Sequence, residues 1–198
     1  MKTKRVFDLF FSLLGLLLLV PLFFTIAVWI MLDSTGPVFF RQVRVGRFGE
    51  PFRIFKFRTM FLDSEAKGRQ ITIGEDPRIT WSGRLLRKYK LDELPQLLNV
   101  VKGEMSLVGP RPEVPRYVEL YPEPLRSLVL SVPPGITDFA SIEFKDENAL
   151  LGQAADPENV YINDVLPVKL KYYVRYVTER SIWVDFKIIL ITLKSIIN

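Results

Sequence analysis

Two adjacent acids, Asp92 and Glu93, stand in the run Leu91-Asp92-Glu93-Leu94-Pro95, and four cations frame them in the chain: Lys56, Arg58, Arg87 and Arg111. A carboxylate pair among guanidinium and ammonium groups suits a site for a phosphorylated molecule and a divalent metal. Arg111 sits between Pro110 and Pro112, in a stiff loop. The same residues have plain structural uses. Acids at a helix start cap free amides and favour the positive end of the dipole, and each cation can be a solvated charge or a lipid-headgroup contact. The chain contains no histidine and no cysteine. That excludes a Ser-His-Asp triad, a histidine base, thiolate chemistry, disulfides and cysteine or histidine metal sites. Any catalysis must run on carboxylates, lysine, arginine, tyrosine, hydroxyls or a bound hard metal.

The elements that must position these groups follow from pattern. Val38 to Val45 is β-branched and aromatic, Gly46 to Pro51 is turn chemistry, and Phe52 to Phe57 mixes apolar with basic residues, which predicts a β-hairpin with a basic face carrying Lys56 and Arg58. Met60 to Lys67 reads as helix and Gly68 to Thr80 as a polar loop. Ser82 to Lys90 is predicted helical, with Leu85 and Leu86 inward and Arg84, Arg87 and Lys88 outward. A second helix starts near Asp92 or Glu93, carries Pro95 in its first turn and ends at Gly103. Ser106 to Pro112 reads as a loop, Val114 to Leu130 as partly helical, Pro133 to Thr137 as a turn and Asp138 to Phe144 as a short strand. Val168 to Val177 and Ile182 to Ile197 close the chain, the last being apolar on most sides.

Residues Leu9 to Leu32 form an almost unbroken apolar run with Pro21 near its middle. As helix it extends roughly 36 Å, enough to cross a bilayer. Lys2, Lys4 and Arg5 precede it, and Arg41, Arg44, Arg47, Arg53, Lys56 and Arg58 follow it. Basic residues near membrane ends favour the cytoplasmic side, so a straight span places one cluster on the wrong face. A helix that enters, breaks at Pro21 and returns keeps both in the cytoplasm; the alternative is a kinked spanning helix. Asp8 is expected at the interface beside Arg5, and Thr25 could satisfy a freed carbonyl. About 160 residues remain after this anchor, enough for one domain with a core. The net charge of +5 and the pI near 9.4 suit anionic lipid or phosphorylated substrates more than nucleic acid, since the aromatics follow core periodicity.

The runs Lys56-Phe57-Arg58-Thr59-Met60, Leu91 to Val100, Lys102 to Pro112 and Pro134-Gly135-Ile136-Thr137 resemble, in order, those of the bacterial sugar transferases, the small monotopic phosphoglycosyl transferases that begin glycan assembly on a lipid carrier. The resemblance implies an α+β, mostly helical monotopic membrane protein with a re-entrant helix over 1–34, a membrane-associated cytoplasmic catalytic domain over 35–198, a small β-hairpin and interfacial amphipathic helices. It implies residence at the cytoplasmic face of a bacterial inner membrane, both termini cytoplasmic, with membrane lipids as partners; a homodimer is compatible. The implied reaction moves a sugar-1-phosphate from a UDP-sugar to undecaprenyl phosphate and releases UMP. Asp92 would be the nucleophile, forming an acyl-phosphate to the sugar, and Glu93 would orient the site. Magnesium (Mg2+) would be held by Asp92 and Glu93, while Lys56, Arg58, Arg87 and Arg111 bind phosphate. The sequence departs from relatives in having Val20 where many place serine before the membrane proline. Thr137-Asp138-Phe139-Ala140-Ser141 also stands where hexose-phosphate transferases commonly carry glycine and glutamine. The rival classes are a membrane-anchored, metal-dependent phosphohydrolase using the same acids and a non-catalytic basic scaffold.

Overall fold

A computed structural model describes residues 2–62 and 76–197. The chain opens with the long helix α1 (Lys2–Asp33), followed by the hairpin strands β1 (Phe39–Val45) and β2 (Pro51–Phe57) and by α2 (Trp81–Lys88). A 3-10 turn (Leu91–Glu93) leads to α3 (Gln96–Lys102), β3 (Ser106–Val108), α4 (Pro115–Val118), α5 (Leu125–Val129) and β4 (Gly135–Thr137). The rest is helical: α6 (Phe139–Glu143), α7 (Glu147–Gly152), α8 (Pro157–Val160), a π-helical turn (Tyr161–Val165), α9 (Leu166–Glu179) and α10 (Ile182–Ile197). The architecture is α+β. Among the described residues four apolar clusters hold it together, the largest formed by Val114, Tyr117 and Tyr121 against Leu151, Tyr161, Leu170 and Tyr173.

The hairpin is where the sequence pattern places it. Its strands pair antiparallel from Phe39↔Phe57 to Val45↔Pro51, and the turn closes through Gly46 N donating to Glu50 O at 2.8 Å. Because side chains alternate, Phe52 and Ile54 drop into a cluster with Val100 and Met105, and Lys56 faces the same side. Cations lie on both faces rather than one, since Arg41 stacks over Phe55, its cross-strand partner, with 3.6 Å to the ring centroid.

Several predictions fail in detail, among them the loop expected over Ser106 to Pro112, whose first three residues are strand β3. Met60 pairs with Ile79 in an isolated antiparallel bridge instead of starting a helix; the remainder of that expected helix and loop, 63–75, lies outside the described residues. In α2, Leu86 is buried while Leu85 is largely exposed, and Arg87 turns inward to donate to Thr59 Oγ1 at 2.9 Å. Gly135–Thr137 is a strand rather than a turn, parallel to β3 with Val108↔Thr137 in register. After it, Phe139–Glu143 is helix, not strand, because the Asp138 carboxylate accepts from Ser141 N at 2.7 Å and caps it. A parallel pair this short has no local sequence signature. It needs close backbone approach instead: a Cβ on Gly135 would lie 2.0 Å from Gly109 N.

The helix α1 is one element with Pro21 inside it, and Thr25 Oγ1 donates to Pro21 O at 2.9 Å. It is long and apolar enough to cross a membrane, yet the same body grips it at both ends. Near its start, Arg5 donates to the carbonyls of Val100 and Val101, at 2.5 and 2.9 Å, at the C-terminal end of α3. Asp8 is buried rather than interfacial: it accepts from Ser106 Oγ at 2.9 Å and from Leu107 N at 3.3 Å. Lys4 pairs with Asp185 of α10 at 2.6 Å, and the Tyr176 hydroxyl lies 2.8 Å from the same acid. At the other end, Ile26 and Ile30 pack on Phe57 and Leu86, and the Asp33 carboxylate accepts from the amide and hydroxyl of Ser82 at 2.9 and 2.7 Å. Between these grips, Leu17, Leu18 and Phe24 are about 70% exposed (71%, 69% and 71%).

Candidate active site

Three elements converge on the acid pair. The inner face of β2 supplies Lys56, the 3-10 turn supplies Asp92 and Glu93, and the loop leaving β3 supplies Arg111. Lys56 Nζ donates to Glu93 Oε1 at 2.7 Å, and the Arg111 guanidinium forks onto both Glu93 oxygens, Nη1 to Oε2 at 3.2 Å and Nη2 to Oε1. Arg111 is in turn held by its loop. Arg44 donates to Pro112 O at 3.1 Å, and Val45 N donates to Glu113 O at 3.0 Å. The Glu113 side chain is buried and accepts from the Tyr161 hydroxyl at 2.7 Å.

The two acids therefore differ sharply. Burial alone would raise Glu93, but Arg111 and Lys56 outweigh it and hold the carboxyl well below the usual range. Asp92 is 9% exposed, and among the described residues no group donates a hydrogen bond to its carboxylate. Burial pushes it up to about 6, helped by the Glu93 charge and opposed by Lys56, Arg87 and Arg111. The helix expected to start near Asp92 or Glu93 starts instead at Gln96, with Pro95 as its cap residue, so neither acid caps it. What dominates is loss of water. The result is one acid locked as a counter-ion and its neighbour desolvated, with lone pairs that no described donor engages.

Of the cations predicted from sequence, Lys56 and Arg111 are in contact with the pair. Arg87 acts on Asp92 through its charge, which opposes the rise in that acid's pKa. Arg58 is not in the group. Its guanidinium donates to Ser34 O at 2.6 Å and to Thr35 O at 2.7 Å, closing the C-terminal end of α1. Residues that the sequence reading did not name as site candidates are Lys90, Arg44, Glu113 and Asp138. Lys90 adopts φ of 52°, a left-handed conformation rare outside glycine and asparagine, and burial pulls its amine down. Its position two residues before Asp92 was the available signal. Glu113, directly after Pro110-Arg111-Pro112, offered another.

The whole chain, residues 1–198, matches the model of the family described as bacterial sugar transferase. The chain belongs to that family. Among curated relatives of this chain, an undecaprenyl-phosphate glucose phosphotransferase of Komagataeibacter xylinus is 42% identical over 200 residues, covering 98% of this chain and 36% of the relative. A UDP-N-acetylgalactosamine-undecaprenyl-phosphate N-acetylgalactosaminephosphotransferase of Aeromonas hydrophila is 37% identical over 197 residues, covering 98% of this chain and 44% of the relative. A sugar transferase of Bacillus subtilis (strain 168), itself uncharacterized, is 40% identical over the full chain and is covered to 88% of its length. The chain thus spans only 36% and 44% of the length of these first two relatives.

Proposed function

We propose that this chain transfers a sugar-1-phosphate from a UDP-sugar to undecaprenyl phosphate, with Asp92 as the nucleophile. The relatives named for such transfers support the reaction class. The observation that carries the residue assignment is the asymmetry of the acid pair: Glu93 is bound by Lys56 and Arg111, while Asp92 has no donor among the described residues. A carboxylate without hydrogen bonds is a better nucleophile than one whose lone pairs are engaged. An Asp92 oxygen attacks the phosphorus that bears the sugar. The bridging P–O bond to the second phosphate breaks, and UMP leaves. A phosphate oxygen of undecaprenyl phosphate then attacks the same phosphorus, and the acyl P–O bond breaks to return the carboxylate. Glu93 keeps Lys56 and Arg111 beside that phosphorus, where they offset the growing charge on its oxygens.

Few donors are available for a divalent cation. Glu93 has both oxygens engaged, and no cluster of three or more acids capable of holding a metal occurs among the described residues. Asp92 remains as a ligand, which fits Mg2+, an ion commonly bound by one or two carboxylates together with substrate phosphates. When bound, Mg2+ would supply charge neutralisation on the diphosphate.

Membrane association has a chemical use, because the polyprenyl chain stays in the bilayer while the nucleotide comes from water. The grip of one body on both ends of α1 supports a re-entrant dip with both termini cytoplasmic, and the exposed Leu17, Leu18 and Phe24 would form its immersed part. Trp183, Phe186, Leu190 and Leu193 of α10 are exposed too, with Lys187 and Lys194 on the same helix, a composition suited to the interface. The test is purified protein with undecaprenyl phosphate, Mg2+ and radiolabelled UDP-sugars. Transfer to lipid is expected, with a phosphosugar adduct on Asp92 that Asp92→Asn lacks. Sugar phosphate released without lipid acceptor would point to a hydrolase, and a transferring Asp92→Asn protein would remove the nucleophile. Tags at residues 1 and 198 should both be cytoplasmic.

A further inference from the structure

The parallel pairing of β3 and β4 has a consequence beyond fold. Gly109 N donates to Thr137 O at 3.1 Å, so the chain leaves the two strands side by side, one carrying Arg111 and the other Asp138. Ligands commonly gather outside the carboxyl ends of parallel strands. Here those ends hold unmet polar need. Asp138 is 1% exposed; one carboxylate oxygen caps α6, and the other, Oδ2, has no hydrogen-bond partner. The Ser141 hydroxyl, one turn on, is also buried without a partner. So is the Tyr173 hydroxyl, on which Asp138 is the leading charge. Lys90 reaches this cluster from the acid-pair side, its Nζ 3.4 Å from Ser141 O. That long contact leaves ammonium donors to spare, on a residue whose backbone is held in a strained conformation two positions from the nucleophile.

We propose that Lys90, Asp138 and Ser141 form the wall that reads the transferred sugar, binding a ring substituent that both donates and accepts hydrogen bonds, a hydroxyl or an acylamino group. The proposal rests on the phosphosugar-transfer reading above. Phosphate is the wrong occupant, because the Asp138 carboxylate repels it. A neutral group with an acceptor for Lys90 and an N–H or O–H for Asp138 or Ser141 matches the donors and acceptors of this wall. The sugar is such a group, and it is attached to the phosphorus that Asp92 attacks, so it lies within reach of a lysine two residues away.

The experiment measures kcat/KM of the full chain in detergent with undecaprenyl phosphate and four donors: UDP-glucose, UDP-galactose and their N-acetylamino counterparts. It compares wild type with Asp138→Asn, Ser141→Ala and Lys90→Gln, and also measures inhibition by UMP. Asparagine keeps the oxygen that caps α6 while replacing the acceptor Oδ2 with a donor, so the fold is retained. Loss of a hydrogen bond to a charged group lowers kcat/KM for the preferred donor by about tenfold to a hundredfold. Discrimination among donors narrows by a similar factor, and UMP inhibition is unchanged. Ser141→Ala, the mildest change, tests the wall alone if Asp138→Asn does not fold. Unaltered donor ratios in the folded variants overturn the proposal. So does weakened UMP inhibition with ratios preserved, which assigns the wall to the nucleotide. Wild-type protein that transfers from none of the donors overturns the parent reading instead.

Discussion

Asp92 and Glu93 are adjacent, yet neutralising them should move stability in opposite directions. The Asp92 carboxylate is ionised at the cost of lost hydration, and its affinity for a proton rises from an ordinary 3.8 to about 6 on folding. A raised acid opposes folding once ionised. The penalty is absent well below 3.8, grows as pH rises through this interval, and is complete above about 6. At about 1.4 kcal/mol per tenfold change in acidity, the interval corresponds to at most about 3 kcal/mol at pH 8. Asp92→Asn removes that charge and breaks no hydrogen bond among the described residues. It should raise the melting temperature by up to roughly 6 to 12 °C at the sensitivity expected for a chain of this size. Glu93→Gln removes the partner of Lys56 and Arg111, both side chains at most a third exposed (17% and 32%). Two cations are left facing each other, and the loss should be about 3 kcal/mol. The assay is thermal unfolding of both variants in one detergent with EDTA, at pH 5 and pH 8, where the Asp92→Asn gain should be clearly larger at pH 8. A destabilised Asp92→Asn, or a gain independent of pH, would refute the claim that this carboxylate is desolvated and unpaired.

Three more outcomes are expected. Because the raised Asp92 must lose its proton to act, kcat/KM should fall as pH drops through about 6 at limiting Mg2+, read from pH–rate profiles at several Mg2+ concentrations; since bound Mg2+ moves the fall to lower pH, a profile flat down to pH 5 at the lowest Mg2+ that supports turnover contradicts it. Arg58→Met frees the carbonyls of Ser34 and Thr35 at the end of α1 and should cost roughly 2 to 4 kcal/mol, seen as a lower melting temperature with faster proteolysis after residue 33. Gly135→Ala drives a methyl into the Gly109 amide. It should destabilise the protein by roughly 1 to 3 kcal/mol and reduce kcat/KM more than KM alone explains, since Arg111 and Asp138 shift together.

Much of the site was legible because its signals are local. Adjacent acids, an arginine between prolines and a lysine on an alternating strand are readable from spacing, and Lys56, Glu93 and Arg111 do meet. Arg58 shows where this fails. It follows β2 just as Lys56 lies on it, and nothing in its neighbourhood announces that α1 ends beside it with open carbonyls. Asp8 was misplaced for the same reason: a carboxylate near an apolar run suggests an interface until Ser106, nearly a hundred residues on, proves to be its partner (|i−j| of 98).

The sequence by itself determined the local facts: a long apolar helix broken in composition by Pro21, a hairpin, chemistry without histidine or cysteine, and the identity of the charged groups. Tertiary structure decided how those charges are divided. Whether an acid is a counter-ion or a bare nucleophile depends on which cations come within about 3 Å of it and how much water is excluded. Both follow from the packing of β2, the Asp92 turn and the β3 loop against one another. Electrostatic energy is set by distance and surroundings, and residues far apart in the chain supply both.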